Sequence, residues 1–216
     1  MDDKLLIAGR VAKELRAGTL VNLGIGLPTL VAGLVPRDAH IFFQSENGIV
    51  GMQSIPEHGL EDDDLTDAGG RPISALPGAA TFDSATSFGL IRGGHLDVTV
   101  LGGLQVDRVG HLANWMVPGK MVPGMGGAMD LVTGARRVIV AMTHTAKGEH
   151  KIVEACTLPL TSARCVDLIV TELAVLRPTP EGMVLQEVAP GVTVAQVQEA
   201  TGTRLIVTGD VPTMAF

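Results

Sequence analysis

The segment Gln44-Ser45-Glu46-Asn47-Gly48-Ile49-Val50-Gly51 sets an acidic side chain on a tight Asn-Gly turn, directly after the run His40-Ile41-Phe42-Phe43. A carboxylate is ionised near neutral pH, so it can attack a carbonyl carbon without a general base, and no histidine stands beside this one. Two further glycine-bearing segments supply what such an attack needs. Leu23-Gly24-Ile25-Gly26-Leu27-Pro28-Thr29 reads as a strand-to-helix turn whose free backbone N–H groups could face an anion or a carbonyl oxygen. The stretch from Pro118 to Asp130 carries the pair Gly126-Gly127 just before a helix, where unpaired N–H groups concentrate. Each segment alone reads better as an ordinary loop that needs positive φ. Together they hold the parts for nucleophilic acyl transfer: a carboxylate, and N–H donors for the oxyanion, each worth about 3 kcal/mol in the transition state. Oxygen esters leave poorly, which points to an activated acyl donor such as a thioester.

Other chemistries lack their residues. Gly24-x-Gly26-x-x-Thr29 and Gly124-x-Gly126-x-x-Met129 both miss the third glycine of a dinucleotide fingerprint, and neither a phosphate loop nor a G-x-S-x-G elbow is present. The 6 histidines form no H-x-x-x-H pair, and His95, His111 and His144 read as core or loop residues rather than metal ligands.

The elements that must position these segments alternate between strand and helix. An amphipathic helix spans 3–17, with Ile7, Val11 and Leu15 on one face and Gly18 suited to its end. Strands follow at 19–23 and 40–44. Glu61-Asp62-Asp63-Asp64 reads as a solvated loop. Asp83 or Ser84 caps a helix running to Ile91, and a buried strand covers 96–101. Residues 102–127 read as loop, followed by a short helix from Ala128 and a strand at 137–141. The segments 172–176 and 183–188 flank Arg177-Pro178-Thr179-Pro180-Glu181-Gly182 as a hairpin, and Thr193 caps a helix to Ala200. This order gives an α/β fold, an open and largely parallel sheet flanked by helices, in one domain over residues 1–216. Ligands of such sheets bind beyond the carboxyl ends of the strands, and all three glycine segments follow strands or open helices.

The 216 residues are 46% hydrophobic, enough for a sizeable core, and the 27 glycines sit in a chain rich in Val, Ile and Leu rather than in a disordered one. A net charge of −7 with no basic run excludes nucleic acid as a partner, and any anionic ligand must be recognised locally. Cys156 and Cys165 lack metal-ligand spacing and read as reduced, buried thiols. No signal peptide and no apolar run of about 18 residues appears, so the expectation is a soluble cytoplasmic protein with no membrane contact.

Ser45-Glu46-Asn47-Gly48 resembles the active-site signature of class I CoA-transferases, in the β subunit of the 3-oxoacid CoA-transferases. Further segments agree in order: Leu23–Thr29, Ile91–Asp97, Leu112–Trp115, Gly124–Leu131, Cys156–Thr161 and Thr171–Val175. The resemblance covers about residues 5–191; Thr within Ala141–Thr145 stands where many relatives carry Glu. It implies the fold shared with ribose-phosphate isomerase-like proteins and a catalytic Glu46 that reacts through an acyl anhydride and a glutamyl-CoA thioester. It also implies a Gly127 N–H in the oxyanion hole, with the second donor on an α subunit in an α2β2 assembly. Gly24, Gly26, Asn47, Gly48, Gly124 and Gly126 are the candidate substrate and CoA contacts. Coenzyme A enters as a substrate, with no tightly bound cofactor. Asn114–Lys120 resembles the subgroup acting on acetoacetate and short acyl groups, which favours succinyl-, acetyl- or butyryl-CoA with an acid such as acetoacetate. The expected setting is ketone-body or short-chain fatty acid metabolism. Lys120, Arg92 and Arg136 could meet CoA phosphates, although surface ion pairs suit each of them better. The rival readings are an acyl-CoA hydrolase of the same family and a sugar-phosphate isomerase or sensor on the same architecture.

Overall fold

The computed structural model describes residues 2–119 and 125–215. Its centre is a 10-stranded sheet in the order β15-β14-β13-β12-β8-β5-β1-β2-β3-β4. These strands are β1 (Leu20–Leu23), β2 (Phe42–Ser45), β3 (Ile49–Met52), β4 (Ala75–Thr81), β5 (Val98–Leu101), β8 (Arg137–Ala141), β12 (Leu168–Val170), β13 (Ala174–Thr179), β14 (Gly182–Val188) and β15 (Leu205–Ile206). A 3-stranded ribbon of β6 (Gln105–Asp107), β7 (Leu112–Ala113) and β11 (Ile152–Val153) and a hairpin of β9 (Thr145–Ala146) and β10 (Glu149–His150) lie outside it. From β12 through β8, β5 and β1 to β2 all neighbours are parallel, while β2-β3-β4 and β12-β13-β14 are antiparallel and β15 adds to β14 in parallel at one edge.

Parallel strands covered on both faces should be apolar throughout, and β5 and β12 are buried at every position. Alternation then sends side chains to two separate cores. In β8, Val138 and Val140 join Ile91, Leu96 and Leu131 on one face, whereas Ile139 and Ala141 join Ile7, Val11 and Val31 on the other. The first core lies under α2 (Ser84–Arg92) and α3 (Ala128–Gly134), the second under α1 (Asp3–Ala12). Helix α1 is pinned by Arg10, whose guanidinium reaches Glu187 at 2.7 and 2.6 Å and Glu14 at 2.7 Å.

Several elements match the sequence reading. Asp83 caps α2 by accepting the Thr86 N–H, and Thr193 caps α4 (Val194–Ala200) through a reciprocal capping box with Gln196. Others differ. Helix α1 stops at Ala12 instead of residue 17, because the Glu14 and Leu15 amides bond the tighter Val11 and Ala12 carbonyls. The helix expected to start near Pro28 is a 3₁₀ helix, Leu27–Leu34. Strands β6 and β7 interrupt the region expected to be loop. In the C-terminal hairpin β13 runs on through Pro178 to Thr179, leaving Pro180-Glu181 as the turn. Proline is tolerated there because β12 pairs with β13 at Val175 and Leu176, so one side of the strand is open at Pro178.

Candidate active site

The carboxyl ends of β1, β2 and β5 open into a cleft of about 510 Å³ whose walls include Gly24, Glu46, Asn114, Trp115, Gly126 and Gly127. Glu46 opens the turn between β2 and β3. The Gly48 N–H donates to the Ser45 carbonyl at 3.0 Å, and the Gly48 carbonyl accepts the Phe82 N–H at 2.9 Å. Gly48 has φ +125°, and a Cβ there would stand 2.0 Å from the Phe82 oxygen, so only glycine closes this turn against the strand behind it. The sequence signal and the geometry agree on the cause: Asn-Gly lets the chain reverse within one residue of the carboxylate.

Beneath the turn lies a chain of side chains with no solvent access: Asn22, Gln44, Ser87 and Thr99 are each 0% exposed. The Asn22 amide donates to Gln44 Oε1 at 2.8 Å and to Glu46 Oε2 at 3.1 Å, while Asn22 Oδ1 accepts from Thr99 Oγ1 at 3.2 Å. Gln44 Nε2 donates in turn to Ser87 Oγ at 2.8 Å. A carboxylate only accepts, so the Asn22 amide has one possible orientation and both its protons are used. Glu46 Oε1 accepts no hydrogen bond among the described residues and is left for the cleft. The carboxylate is held by a neutral donor at one oxygen and open at the other.

Opposite it, Gly127 caps α3 with φ −82° and ψ 0°. A Cβ on Gly127 would come within 3.5 Å of Glu46 Cγ and 3.1 Å of Phe88 Cζ, so the backbone approaches the nucleophile closely because it is glycine. Among the described residues no group accepts the Gly127 N–H. Gly24 is buried at the end of β1, where its N–H donates to the Val100 carbonyl at 2.8 Å.

The structure separates the remaining candidates. Gly24, Gly126 and Gly127 share the cleft with Glu46. Gly48 is buried behind the turn, Gly26 is exposed with φ +90°, and the Asn47 amide donates outward to the Thr66 carbonyl at 2.8 Å, so these residues shape or border the turn rather than line the cleft. Gly124 and Lys120 lie outside the described residues. Arg92 pairs with Asp130 at 2.7 Å and Arg136 with Asp97 at 3.0 Å, both as exposed ion pairs. Asn22, Gln44, Ser87, Thr99 and Phe88 were not singled out in the sequence. The available signal was a lone amide inside each of two apolar strands, Leu20-Val21-Asn22-Leu23 and Phe42-Phe43-Gln44.

His144, expected in the core or a loop, is a core residue. It lies between Thr171 Oγ1 and Thr201 Oγ1 at 2.9 Å each, and burial, aided by His150 and Lys151, lowers its pKa to about 4. Burial, with the Asp107 carboxylate nearby, pushes the Cys156 thiol up to about 11, so it stays protonated and inert. Cys165 departs from expectation: it is exposed, on the segment between Ser162 and β12 rather than in either core. Among the described residues no helix is long and apolar enough to cross a membrane.

Comparison with known proteins adds to this geometry. Residues 4–200 match the family described as Coenzyme A transferase. The chain is 57% identical over 214 residues to the beta subunit of the acetate CoA-transferase of Escherichia coli K12, covering 99% of this chain and 98% of that protein. It is 52% identical over 196 residues to the corresponding subunit of the succinyl-CoA:3-ketoacid coenzyme A transferase of Helicobacter pylori, covering 90% and 94%. The fold superposes on a crystal structure of an acyl-CoA transferase from Escherichia coli O157:H7 with a TM-score of 0.81 at 21% identity, over 99% of this chain and 43% of that longer one.

Proposed function

The chain belongs to the class I coenzyme A transferase family as a β-type subunit, and on that footing we propose that Glu46 is the nucleophile that carries CoA between two carboxylic acids. The observation that carries this reading is the Glu46 carboxylate at the cleft, held at Oε2 by Asn22 and open at Oε1, with its Cγ 3.5 Å from where a Cβ on Gly127 would stand. Oε1 attacks the acyl carbonyl of an acyl-CoA, the C–S bond breaks, and CoA leaves as thiolate while Glu46 holds an acyl anhydride. The thiolate then attacks the glutamyl carbonyl, forming a C–S bond and expelling the first acid as its carboxylate. A second carboxylate reverses both steps and departs as the new acyl-CoA. During the first attack the Gly127 N–H faces the oxyanion on the acyl carbon, with a second donor from the α subunit.

Glycine and apolar residues dominate the cleft wall; among its described lining residues there is no Lys, Arg, Ser or Thr to hold a sugar phosphate. This favours acyl-CoA over the isomerase reading. The acyl donors are succinyl-, acetyl- or butyryl-CoA and the acceptor a 3-oxoacid such as acetoacetate, in a cytoplasmic α2β2 enzyme. CoA itself is a substrate, and no bound cofactor takes part. The test is a steady-state assay of the assembled α and β subunits with acetyl-CoA and acetoacetate. Parallel double-reciprocal lines and loss of transfer on the order of 10⁴-fold or more in Glu46→Gln are expected. Transfer retained in Glu46→Gln overturns the assignment, and CoA release independent of acceptor acid makes the protein a hydrolase.

A further inference from the structure

The Glu46 chemistry creates a problem that the cleft alone does not solve. Both the anhydride and the glutamyl-CoA thioester are open to water, and a water that reaches either one turns transfer into hydrolysis. A transferase therefore needs something that keeps water from the reacting carbons while the acids exchange.

The Phe88 ring is placed to do this. Its Cζ and Cε1 would lie 3.1 and 3.3 Å from a Cβ on Gly127, and Glu46 Cγ 3.5 Å from the same point, so ring, nucleophile arm and oxyanion backbone converge. Phe88 is half-buried and is not one of the residues that line the cleft, so the ring meets the Gly127 backbone from outside the cleft, close to the Glu46 arm. Two clamps fix it there. Ser87, its neighbour, is fully buried and accepts the Gln44 amide at 2.8 Å, which ties α2 to the strand that carries Glu46. One turn further on, Arg92 lies 5.8 Å over the ring and bonds Asp130 at 2.7 Å, which ties α2 to the helix that Gly127 caps. The Arg92 side chain is 69% exposed, so the ring lies beneath a solvated cation and within reach of the Gly127 backbone.

We propose that Phe88 is the residue that sets the ratio of transfer to hydrolysis, by excluding water from the acylated Glu46. The inference rests on Glu46 being the nucleophile. Without the ring, water adds to the glutamyl carbonyl and the C–S bond breaks. The water oxygen stays in the Glu46 carboxylate, one proton goes to the CoA thiolate, and the other goes to solvent.

The experiment uses the assembled α and β subunits with acetyl-CoA and isotopically labelled acetate. Transfer is read as label entering acetyl-CoA, hydrolysis as release of free CoA thiol. In Phe88→Ala the ratio of hydrolysis to transfer rises about tenfold or more. In solvent enriched in ¹⁸O, the Glu46 peptide of that variant gains heavy oxygen faster than wild type. Phe88→Val gives a smaller rise, and it decides the matter should Phe88→Ala not assemble. Ser87→Ala, which loosens one clamp and keeps the ring, lies between Val and wild type. Transfer and hydrolysis falling in parallel, with the ratio unmoved in both Phe88 variants, overturns the proposal and leaves the ring a packing residue. The Glu46→Gln complex separates the two levels. If it still moves label into acetyl-CoA, the nucleophile assignment fails whatever Phe88 does.

Discussion

The cluster under the Glu46 turn and the cluster around His144 are built from the same materials at the same edge of one sheet. Each sits toward the carboxyl ends of parallel strands, the first within β1, β2 and β5, the second just beyond β8 and β12, and each joins buried polar side chains. They terminate differently. The Thr201 hydroxyl gives its proton to the Val197 carbonyl at 2.6 Å, so it accepts from His144 Nε2, and Thr171 donates to Nδ1. That circuit is closed, and every group in it is satisfied. The Asn22 chain instead ends on a carboxylate with one oxygen unengaged at a cleft. Burial with full satisfaction marks a structural network, and burial that leads to an open acceptor marks a chemical one.

This contrast can be broken by substitution. The largest effect falls on Glu46→Asp, which withdraws the carboxylate by one methylene from its held position and should cost about 10²-fold or more in transfer. The unfolding midpoint of that variant should match wild type, and an equal loss of stability would erase the distinction. His144→Leu should behave in the opposite way. It leaves the Thr171 and Thr201 hydroxyls without their partner and should lower stability by about 2 kcal/mol in urea titrations, with kcat unchanged in the assembled enzyme. Asn22→Ala frees Oε2 and should lower kcat about tenfold with little change in KM, because the lost bond orients the nucleophile rather than binding substrate.

The remaining effect is a pH dependence. The fold holds His144 neutral with a pKa of about 4, below its ordinary 6.5, so the unfolded chain takes up a proton first as the pH falls. The contribution of the neutral imidazole is therefore complete above about 6.5 and is lost as the pH falls toward about 4, by up to about 1.4 kcal/mol per pH unit. Urea midpoints of wild type at pH 7 and pH 5, set against those of His144→Gln, measure it; parallel pH profiles would show that His144 is not the group responsible.

Glu46 was legible in the sequence because its signal is local: an acidic residue, an Asn-Gly reversal and a strand in seven consecutive positions. The helix caps Asp83 and Thr193 and strand β8 were legible for the same reason, since capping and alternation act within one turn or one strand. The support beneath Glu46 was not. Asn22 meets Gln44 and Glu46 across 22 and 24 positions and Thr99 across 77, and no spacing rule joins residues that only strand pairing brings together. Strand β4 was missed because Ala75-Leu76-Pro77-Gly78-Ala79-Ala80-Thr81 lacks apolar alternation and contains both strand breakers; it forms at the sheet edge, where one side needs no partner.

The most direct test of the central claim is mass spectrometry of the α–β complex mixed with acetyl-CoA and quenched in acid, which preserves thioesters. CoA attached through a thioester to the peptide containing Glu46, and absent in Glu46→Gln, is the predicted result. Acids that continue to exchange while the Glu46 peptide stays unmodified would contradict it.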